Sequence, residues 1–191
     1  NSFCTLLAAV MSRRFPKVVV FDIDGTLWRP EMYELWGGGA PFTAHNGGEY
    51  VTDRKGEKVK LLGTSRRVLE DLASMPAFKS GEMTIAFAST CDEPEWAREC
   101  LRKITLFGGK TPMGEVVATQ EIYKARSKAV HFAAIAKKTG EDLRDMIFFD
   151  NQMNNIRDVA PLGVTCVYCP EGITDEIWKR GLADFAKASA L

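Results

Sequence analysis

The run Val-Val-Val-Phe-Asp-Ile-Asp-Gly-Thr-Leu-Trp occupies residues 18–28. Its first part, Val18–Phe21, predicts a buried β-strand, because a short apolar run that ends in a turn is typical of one. Side chains alternate along a strand, so Asp22 and Asp24 share one side while Ile23 turns toward the core. Paired acids at a strand end repel each other unless a cation or an electrophile lies between them. The run therefore predicts an acidic site at the carboxyl edge of an α/β sheet, where such sheets bind ligands.

The acid pair suits phosphoryl chemistry. One carboxylate attacks phosphorus, and the other donates a proton to the leaving oxygen and then activates water. A divalent cation would offset the repulsion between the carboxylates and a phosphate. The structural alternative is an acidic turn that only closes the strand, a role in which a lone Asp-Gly is common.

Asp22-Ile-Asp-Gly-Thr26 resembles the first motif of the haloacid dehalogenase (HAD) superfamily of aspartate-nucleophile phosphatases, and Leu27-Trp28 narrows the resemblance to its magnesium-dependent phosphatase branch. The resemblance extends from about Pro16 to the C-terminal helix. It implies an α/β fold, an HAD-like Rossmannoid three-layer sandwich with a central parallel sheet and helices on both faces. It also implies that Asp22 is the nucleophile, which forms an aspartyl phosphate, and that Asp24 is the general acid and base.

Strand-like and helix-like segments alternate along the chain, which independently predicts a parallel sheet covered on both faces. Residues 15–191 are expected to form a single domain after an N-terminal extension over 1–14. Within a loop and flap insertion at 28–63, glycine clusters predict flexible loops, and two polar-apolar runs, 49–52 and 57–60, predict a small hairpin beside the site. The insertion is too short for a separate cap domain, so we expect an open site without a large cap.

A second apolar strand, Met83–Ala88, ends at Ser89. A hydroxyl and the backbone N–H groups of Thr90 and Cys91 would bind phosphoryl oxygens without adding charge. In the resembled family, a serine or threonine at this place bonds the phosphoryl oxygen. A serine that only completes a turn is the alternative interpretation.

Lys128 follows Ser127, a predicted helix N-cap, which places the lysine in the first helical turn. A cation there opposes the helix dipole unless an anion lies nearby. In the resembled family, a lysine at this place stabilises the nucleophile and the phosphoaspartyl intermediate. Lys124 is the competing candidate, and a solvated surface lysine is the alternative for either. The likeness of residues 121–128 to the same branch favours Lys128.

A third apolar strand, Met146–Phe149, leads directly into Asp150. Magnesium keeps several waters and takes only one or two protein carboxylates, so Asp22, the backbone carbonyl of Asp24, and Asp150 are predicted to hold Mg²⁺. Asn151 departs from the branch, which usually has two consecutive acids here. Its amide oxygen can still accept from a metal-bound water or ligate the ion.

The composition limits the classes of partner. Basic and acidic residues number 25 each, and this balance argues against nucleic acid. No stretch approaches the roughly 20 apolar residues of a membrane span. Five scattered cysteines favour reduced thiols and a cytoplasmic location, although residues 1–10 leave an organellar leader open. We expect a monomer that acts on a phosphorylated small molecule or a phosphotyrosyl protein.

Three functions are compatible with these patterns. The favoured hypothesis is a Mg²⁺-dependent phosphomonoester hydrolase acting on phosphotyrosine-type or sugar-phosphate substrates. A phosphoacceptor signalling module also combines an acid pair, a strand-end aspartate and a lysine, but the Asp-x-Asp-Gly-Thr spacing fits it poorly. A catalytically weak binding protein with the same fold is the third hypothesis, and only Asn151 favours it.

Overall fold

The computed structural model describes residues 15–188. The predicted N-terminal extension, residues 1–14, lies outside the described residues. The strands are β1 (Val18–Phe21), β2 (Trp28–Arg29), β3 (Thr43–His45), β4 (Tyr50–Thr52), β5 (Lys58–Leu61), β6 (Thr84–Ser89), β7 (Thr105–Leu106), β8 (Thr111–Pro112), β9 (Thr119–Ile122), β10 (Met146–Asp150) and β11 (Thr165–Tyr168). The α-helices are α1 (Ser65–Ser74), α2 (Pro76–Lys79), α3 (Pro94–Lys103), α4 (Ala129–Thr139), α5 (Met153–Val159) and α6 (Asp175–Ala188).

Five parallel strands form the central sheet in the order β11-β10-β1-β6-β9. β1 lies in the middle, and its register pairs Phe21 with Phe149 of β10 and with Phe87 of β6. The strand ends that follow these phenylalanines therefore reach the same edge of the sheet. The sequence-predicted acids and Ser89 meet at this edge.

The edge strand β9 is absent from the sequence prediction because its polar residues look exposed. In the structure Glu121 is buried, with only 4% of its surface exposed. Its carboxylate accepts hydrogen bonds from the Thr119 hydroxyl and, at 2.6 Å, from Lys138 Nζ. Paired in this way, an acid can occupy a buried strand position, which a pattern of hydrophobicity does not reveal.

Helices cover both faces of the sheet, as predicted. On one face, apolar side chains of the sheet such as Val20 and Phe148 pack with Phe132 of α4 and Val159 of α5. The alternate residues of the same strands face the other side, where α1, α3 and α6 contribute to the larger core. The expected three-layer α/β sandwich is thus confirmed.

The insertion between β1 and α1 is a small antiparallel sheet in the order β2-β5-β4-β3. Strands β4 and β5 form the predicted hairpin, but β2 and β3 add a strand on either side of it. No large cap domain interrupts the described part of the chain. Between residues 15 and 188, no helix is long and apolar enough to cross a membrane.

Candidate active site

The two acids after β1 line one cavity of about 210 Å³. Asp22 is 5% exposed and Asp24 is half-buried, while Ile23 between them is fully buried in the core. Asp150 at the end of β10 is also fully buried. Because the backbone N–H of Asp22 donates to the Phe149 carbonyl at 2.9 Å, Asp22 and Asp150 lie on adjacent strands at the same level.

Lys128 connects the ends of three strands. Its buried ammonium donates to the Asp22 carboxylate, to Asp150 Oδ2 at 3.0 Å and to the carbonyl of Ala88 in β6 at 2.6 Å. The competing candidate, Lys124, is 79% exposed and pairs with Asp92 at 2.7 Å. The structure therefore brings Lys128, and not Lys124, to the acid pair.

The start of α4 differs from the prediction by one residue. The helix begins at Ala129, so Lys128 occupies the N-cap position and not the first helical turn. Ser127, the residue before the N-cap, caps the helix instead: its Oγ accepts a hydrogen bond from the Ala129 N–H at 3.2 Å. The backbone of Lys128 is nevertheless helical, with φ −60° and ψ −21°, so the lysine still lies at the positive end of the helix dipole.

Excess negative charge at this edge shapes the protonation of the acids. Lys128 pairs with Asp22 and Asp150, whereas Asp24, which lines the cavity beside Asp22, has no contact with that ammonium among the described residues. Burial, reinforced by Asp22, raises the pKa of Asp24 and of Asp150 to about 7 each. Burial lowers the pKa of Lys128, but Asp22 and Asp150 outweigh this and hold the pKa above its ordinary value.

Two hydrogen bonds act on Asp24. The indole Nε1–H of Trp28 donates to its Oδ1 at 2.6 Å, and the Cys91 thiol donates to its Oδ2 at 3.6 Å. Burial, followed by the charge of Asp24, raises the pKa of Cys91 to about 12, so Cys91 remains a thiol near neutral pH. The sequence analysis singled out Cys91 for its backbone N–H; the structure shows a contact of its side chain as well.

Thr26 and Gly25 fix the position of Asn151. The Thr26 hydroxyl accepts from the Asn151 backbone N–H at 3.0 Å and lies 3.2 Å from both Asp22 Oδ2 and Asn151 Oδ1. The hydroxyl has one proton, so it donates a hydrogen bond to only one of these two oxygens at a time. Gly25 has φ +73°, and a Cβ there would lie 2.2 Å from Asn151 Nδ2. A side chain at position 25 would therefore displace the Asn151 amide.

The predicted phosphate-binding residues Ser89, Thr90 and Cys91 all line the cavity. Ser89 is the last residue of β6, and its carbonyl oxygen lies 3.1 Å from His131 Nε2. His131 also contacts the Tyr123 carbonyl at 3.1 Å and stacks on the Tyr123 ring. These contacts anchor the end of β6 to the start of α4.

Several cavity residues were not found by the sequence analysis: Glu31, Tyr33, Asp92, Gln152 and Asn155. Asn155 Nδ2 donates to Asp150 at 2.9 Å, as its position one helical turn beyond the strand end could have indicated. Glu31 and Tyr33 come from the insertion and belong to no recognisable pattern. The predicted hairpin flap itself contributes no residue to this cavity.

The donor set at this edge fits a hard divalent cation. Asp22, Asp24, Asp150 and Asn151 offer carboxylate and amide oxygens, and the carboxylates outnumber the one nearby ammonium. In the described range 15–188, no three acidic, histidine or cysteine side chains already converge on one point. Ions such as magnesium need only one or two protein carboxylates beside waters and substrate oxygens, so this arrangement suffices.

The known proteins that this chain resembles include a phosphatase and a hydrolase. Residues 14–188 match the Acid Phosphatase family. The human protein named magnesium-dependent phosphatase 1 is 37% identical over 175 residues, which is 92% of this chain and 90% of the human protein. A HAD-like hydrolase superfamily protein of Schizosaccharomyces pombe is 32% identical over 162 residues, 82% of this chain and 87% of the yeast protein.

A solved haloacid dehalogenase-like hydrolase from Xanthomonas campestris superimposes with a TM-score of 0.60 at 11% identity, covering 93% of this chain and all of that one. At this low identity, the superposition shows only that the two proteins share a fold. The class of protein is shown by the family match and by the two relatives above. With the site geometry, they establish that the chain belongs to the acid phosphatase family of HAD-like hydrolases.

Proposed function

We propose that the protein is a Mg²⁺-dependent phosphomonoesterase that works through an aspartyl phosphate. The convergence of Asp22, Asp24, Asp150 and Lys128 at one sheet edge carries this proposal. The 37%-identical human relative, whose name states both magnesium dependence and phosphatase activity, supports it. A receiver-like signalling module is less compatible, because the second acid lies beside the first in an open cavity and is available for hydrolysis.

In the first step, a carboxylate oxygen of Asp22 attacks phosphorus while the bond from phosphorus to the leaving oxygen breaks. Asp24, two residues away in the same cavity, gives its proton to that oxygen. Lys128 and Thr26 hold the two carboxylate oxygens of Asp22, which orients the nucleophile.

In the second step, water attacks phosphorus of the aspartyl phosphate, and the Asp22 carboxylate is released as the leaving group. Asp24 accepts the proton of that water, which returns both acids to their initial states. The backbone N–H groups of Thr90 and Cys91, with Ser89, are proposed to bind the phosphoryl oxygens at the mouth of the cavity.

Asp22, Asp150 and the backbone carbonyl of Asp24 would hold Mg²⁺, which leaves the Asp24 carboxyl free for proton transfer, and Asn151 would bond one of the ion's waters. When bound, the cation offsets the charge shared by the carboxylates and the phosphate. Asn155 and the Gln152 N–H both donate to Asp150, at 2.9 and 2.6 Å, and thereby keep its carboxylate oriented.

For the substrate, we favour a phosphotyrosine-type phosphoester over a sugar phosphate. The cavity opens beside Tyr33, which is 54% exposed, and no cap formed by residues 15–188 closes over it. An aromatic ring at an open mouth offers stacking to an aryl leaving group.

The proposal is tested by hydrolysis of p-nitrophenyl phosphate, a phosphotyrosine peptide and a sugar phosphate, each with Mg²⁺ and with EDTA. We expect turnover that EDTA stops and that Asp22→Asn abolishes, whereas Asp158→Asn, a change at an exposed helix position, retains it. Unchanged activity of Asp22→Asn would contradict the nucleophile assignment.

Mass spectrometry separates hydrolysis from signalling. In Asp24→Asn, a phosphate ester with a good leaving group should still transfer its phosphoryl group to Asp22, and the adduct should then persist because no base activates water. The wild-type protein should release phosphate repeatedly. A stable, stoichiometric adduct on the wild-type protein would favour the signalling module.

A further inference from the structure

A second hollow, of about 310 Å³, lies next to the catalytic cavity. We name it the aromatic hollow after three of its wall residues, Tyr33, Trp36 and Trp96, which stand with the acids Asp92 and Glu93. Tyr33 and Asp92 line both cavities, so they form the boundary between the two. The two cavities are therefore adjacent, and a large leaving group attached to a phosphate in the first can extend over the second.

Trp36 is unusually placed for an apolar ring. It is 83% exposed, the largest exposed fraction among the big apolar side chains described between residues 15 and 188. Tyr33, 54% exposed, lines the same hollow, so the two rings stand together as an exposed apolar patch of the kind that marks a binding surface. Burial of the Trp36 ring against a ligand would remove most of its apolar surface from water.

The loop that presents Trp36 is tightly packed, which gives the glycine run 37–39 a structural role. A Cβ on Gly38 would lie 1.8 Å from Asp53 Oδ2, and one on Gly39 would lie 2.3 Å from the Trp96 ring. The buried Asp53 carboxylate accepts from the backbone N–H groups of Gly39 and Lys55, each at 2.8 Å. The backbone that follows Trp36 is thus held by packing, so the exposed ring does not stand at the tip of an unsupported loop.

The surroundings of the hollow are acidic. Asp92 and Glu93 line it, and no lysine or arginine of the described chain lines either cavity. Lys124 offsets one of these charges, since it pairs with Asp92 from the outer surface. Glu31, then burial and Glu34, raise the pKa of the Tyr33 phenol, as expected where carboxylates crowd one side of a ring.

We propose that the aromatic hollow binds the peptide segment next to a phosphorylated residue, with a lysine or arginine side chain laid across the Trp36 ring and its charge toward Glu93. The inference rests on the proposed phosphatase function and specifies its substrate class as a basic phosphopeptide. An indole face and a carboxylate together are complementary to the stem and the charge of such a side chain.

The shape of the hollow favours a polypeptide over a small cation. A small quaternary ammonium ligand is held by rings that enclose it, but the Trp36 ring is 83% exposed and encloses nothing. An extended peptide covers such a face from outside while its phosphorylated residue enters the neighbouring cavity. The acidic surroundings also disfavour peptides with glutamate or aspartate at the same position, through like-charge repulsion.

The test compares two phosphotyrosine peptides that differ only in lysine or glutamate beside the phosphorylated residue, with p-nitrophenyl phosphate as a substrate that has no neighbouring residue to bind Trp36 or Glu93. For the wild-type protein, we expect kcat/KM to be about tenfold higher for the lysine peptide. Trp36→Ala and Glu93→Gln should each lower that value about three- to tenfold through KM, with p-nitrophenyl phosphate hydrolysed as before.

Matched controls lie outside the hollow. Val130→Ala removes surface from another exposed apolar side chain, and Glu95→Gln removes another acid from the same helix. Neither should change the preference between the two peptides. A direct readout uses fluorescence polarisation of labelled peptide on Asp22→Asn, where the Kd of the lysine peptide should weaken by the same factor when Trp36→Ala is added.

The outcomes separate the two proposals. If the wild-type protein hydrolyses p-nitrophenyl phosphate but treats both peptides alike, or if Trp36→Ala slows all substrates equally, the aromatic hollow is not a peptide site. A preference for a small cationic phosphoester over the lysine peptide would also overturn the assignment to a polypeptide. If no phosphoester is hydrolysed with Mg²⁺ and no peptide binds, the proposed function fails first.

Discussion

The indole of Trp28 donates a 2.6 Å hydrogen bond to the carboxylate of Asp24, four residues earlier in the chain. Trp28 is fully buried, so its ring is fixed by packing and the bond restrains the carboxylate at the mouth of the cavity. The aspartate that we propose as general acid and base is therefore oriented by a core residue. This contact gives a physical role to the tryptophan that ends the opening motif.

Replacement of Trp28 by phenylalanine should weaken both stability and turnover. The variant keeps an aromatic ring but loses the donor to a charged acceptor, so we expect the free energy of unfolding to fall by about 2 kcal/mol. Turnover should fall because Asp24 is less restrained. Trp178→Phe is the matched control, because Trp178 is equally buried and its Nε1 has no hydrogen-bond partner. Urea unfolding and steady-state kinetics on both variants measure the difference; equal losses would show that ring volume alone matters.

Removal of the buried Lys128 ammonium should lower stability and turnover more than removal of the exposed Lys124 ammonium. Lys128→Met leaves Asp22 and Asp150 as neighbouring buried acids without a counterion, for which we expect a loss of about 3–5 kcal/mol of unfolding free energy, and no turnover. Lys124→Met removes an exposed ion pair that solvent screens, so the free energy of unfolding should be almost unchanged. Denaturant unfolding and p-nitrophenyl phosphate hydrolysis provide the comparison. Full activity of Lys128→Met would exclude its proposed role in orienting Asp22.

Magnesium should stabilise the folded protein through Asp150. Because the unfolded chain lacks the assembled site, free Mg²⁺ at one hundred times its Kd should add about 2.7 kcal/mol and raise the melting temperature. Asp150→Asn should remove most of that increase, while Asp158→Asn should preserve it. The measurement is thermal unfolding over a range of MgCl₂ concentrations. An increase of the same size in Asp150→Asn would place the ion elsewhere.

Acid should destabilise the fold through His131. Burial lowers the pKa of His131 below 6.5, with the Lys128 charge acting in the same direction, although hydrogen bonds to the Tyr123 and Ser89 carbonyls oppose this. Below pH 6.5, the histidine of the unfolded chain takes up a proton, whereas His131 of the folded protein stays neutral. The contribution of His131 to the free energy of unfolding is therefore complete above pH 6.5 and is lost as the pH falls toward the pKa of His131 in the folded protein.

His131→Gln tests this pH dependence because glutamine cannot take up the proton. Urea unfolding at pH 7.5 and pH 5.5 should show a larger loss for the wild-type protein than for the variant. The comparison between the two proteins cancels the titration of the acids at the site, which are the same in both. Parallel losses would mean that His131 does not titrate in this range.

Much of the fold could be predicted from local patterns. The apolar runs that became β1, β6 and β10 each end in a polar residue of the site, because parallel strands direct their carboxyl ends to one edge. The alternation of side chains that continues from β1 was sufficient to place Asp22 and Asp24 on one side and Ile23, between them, in the core. These inferences need only the geometry of a strand, which depends on neighbouring residues in sequence.

Other features depend on partners distant in sequence. Glu121 in β9 is buried because Lys138, in helix α4, pairs with it, and Glu31 and Tyr33 reach the cavity because the small sheet of the insertion turns them there. A hydrophobic pattern cannot indicate such positions, since their environment is created by elements that meet only on folding.

The sequence by itself determined the parallel α/β class and the acid pair at the end of its first strand, because strand periodicity is a local property of the chain. Only the tertiary structure decided that the Lys128 ammonium joins Asp22 to Asp150, that Trp28 restrains Asp24, and that Trp36 stands exposed beside the cavity. These contacts join residues from different elements, and their energies come from burial and charge that exist once the layers have packed.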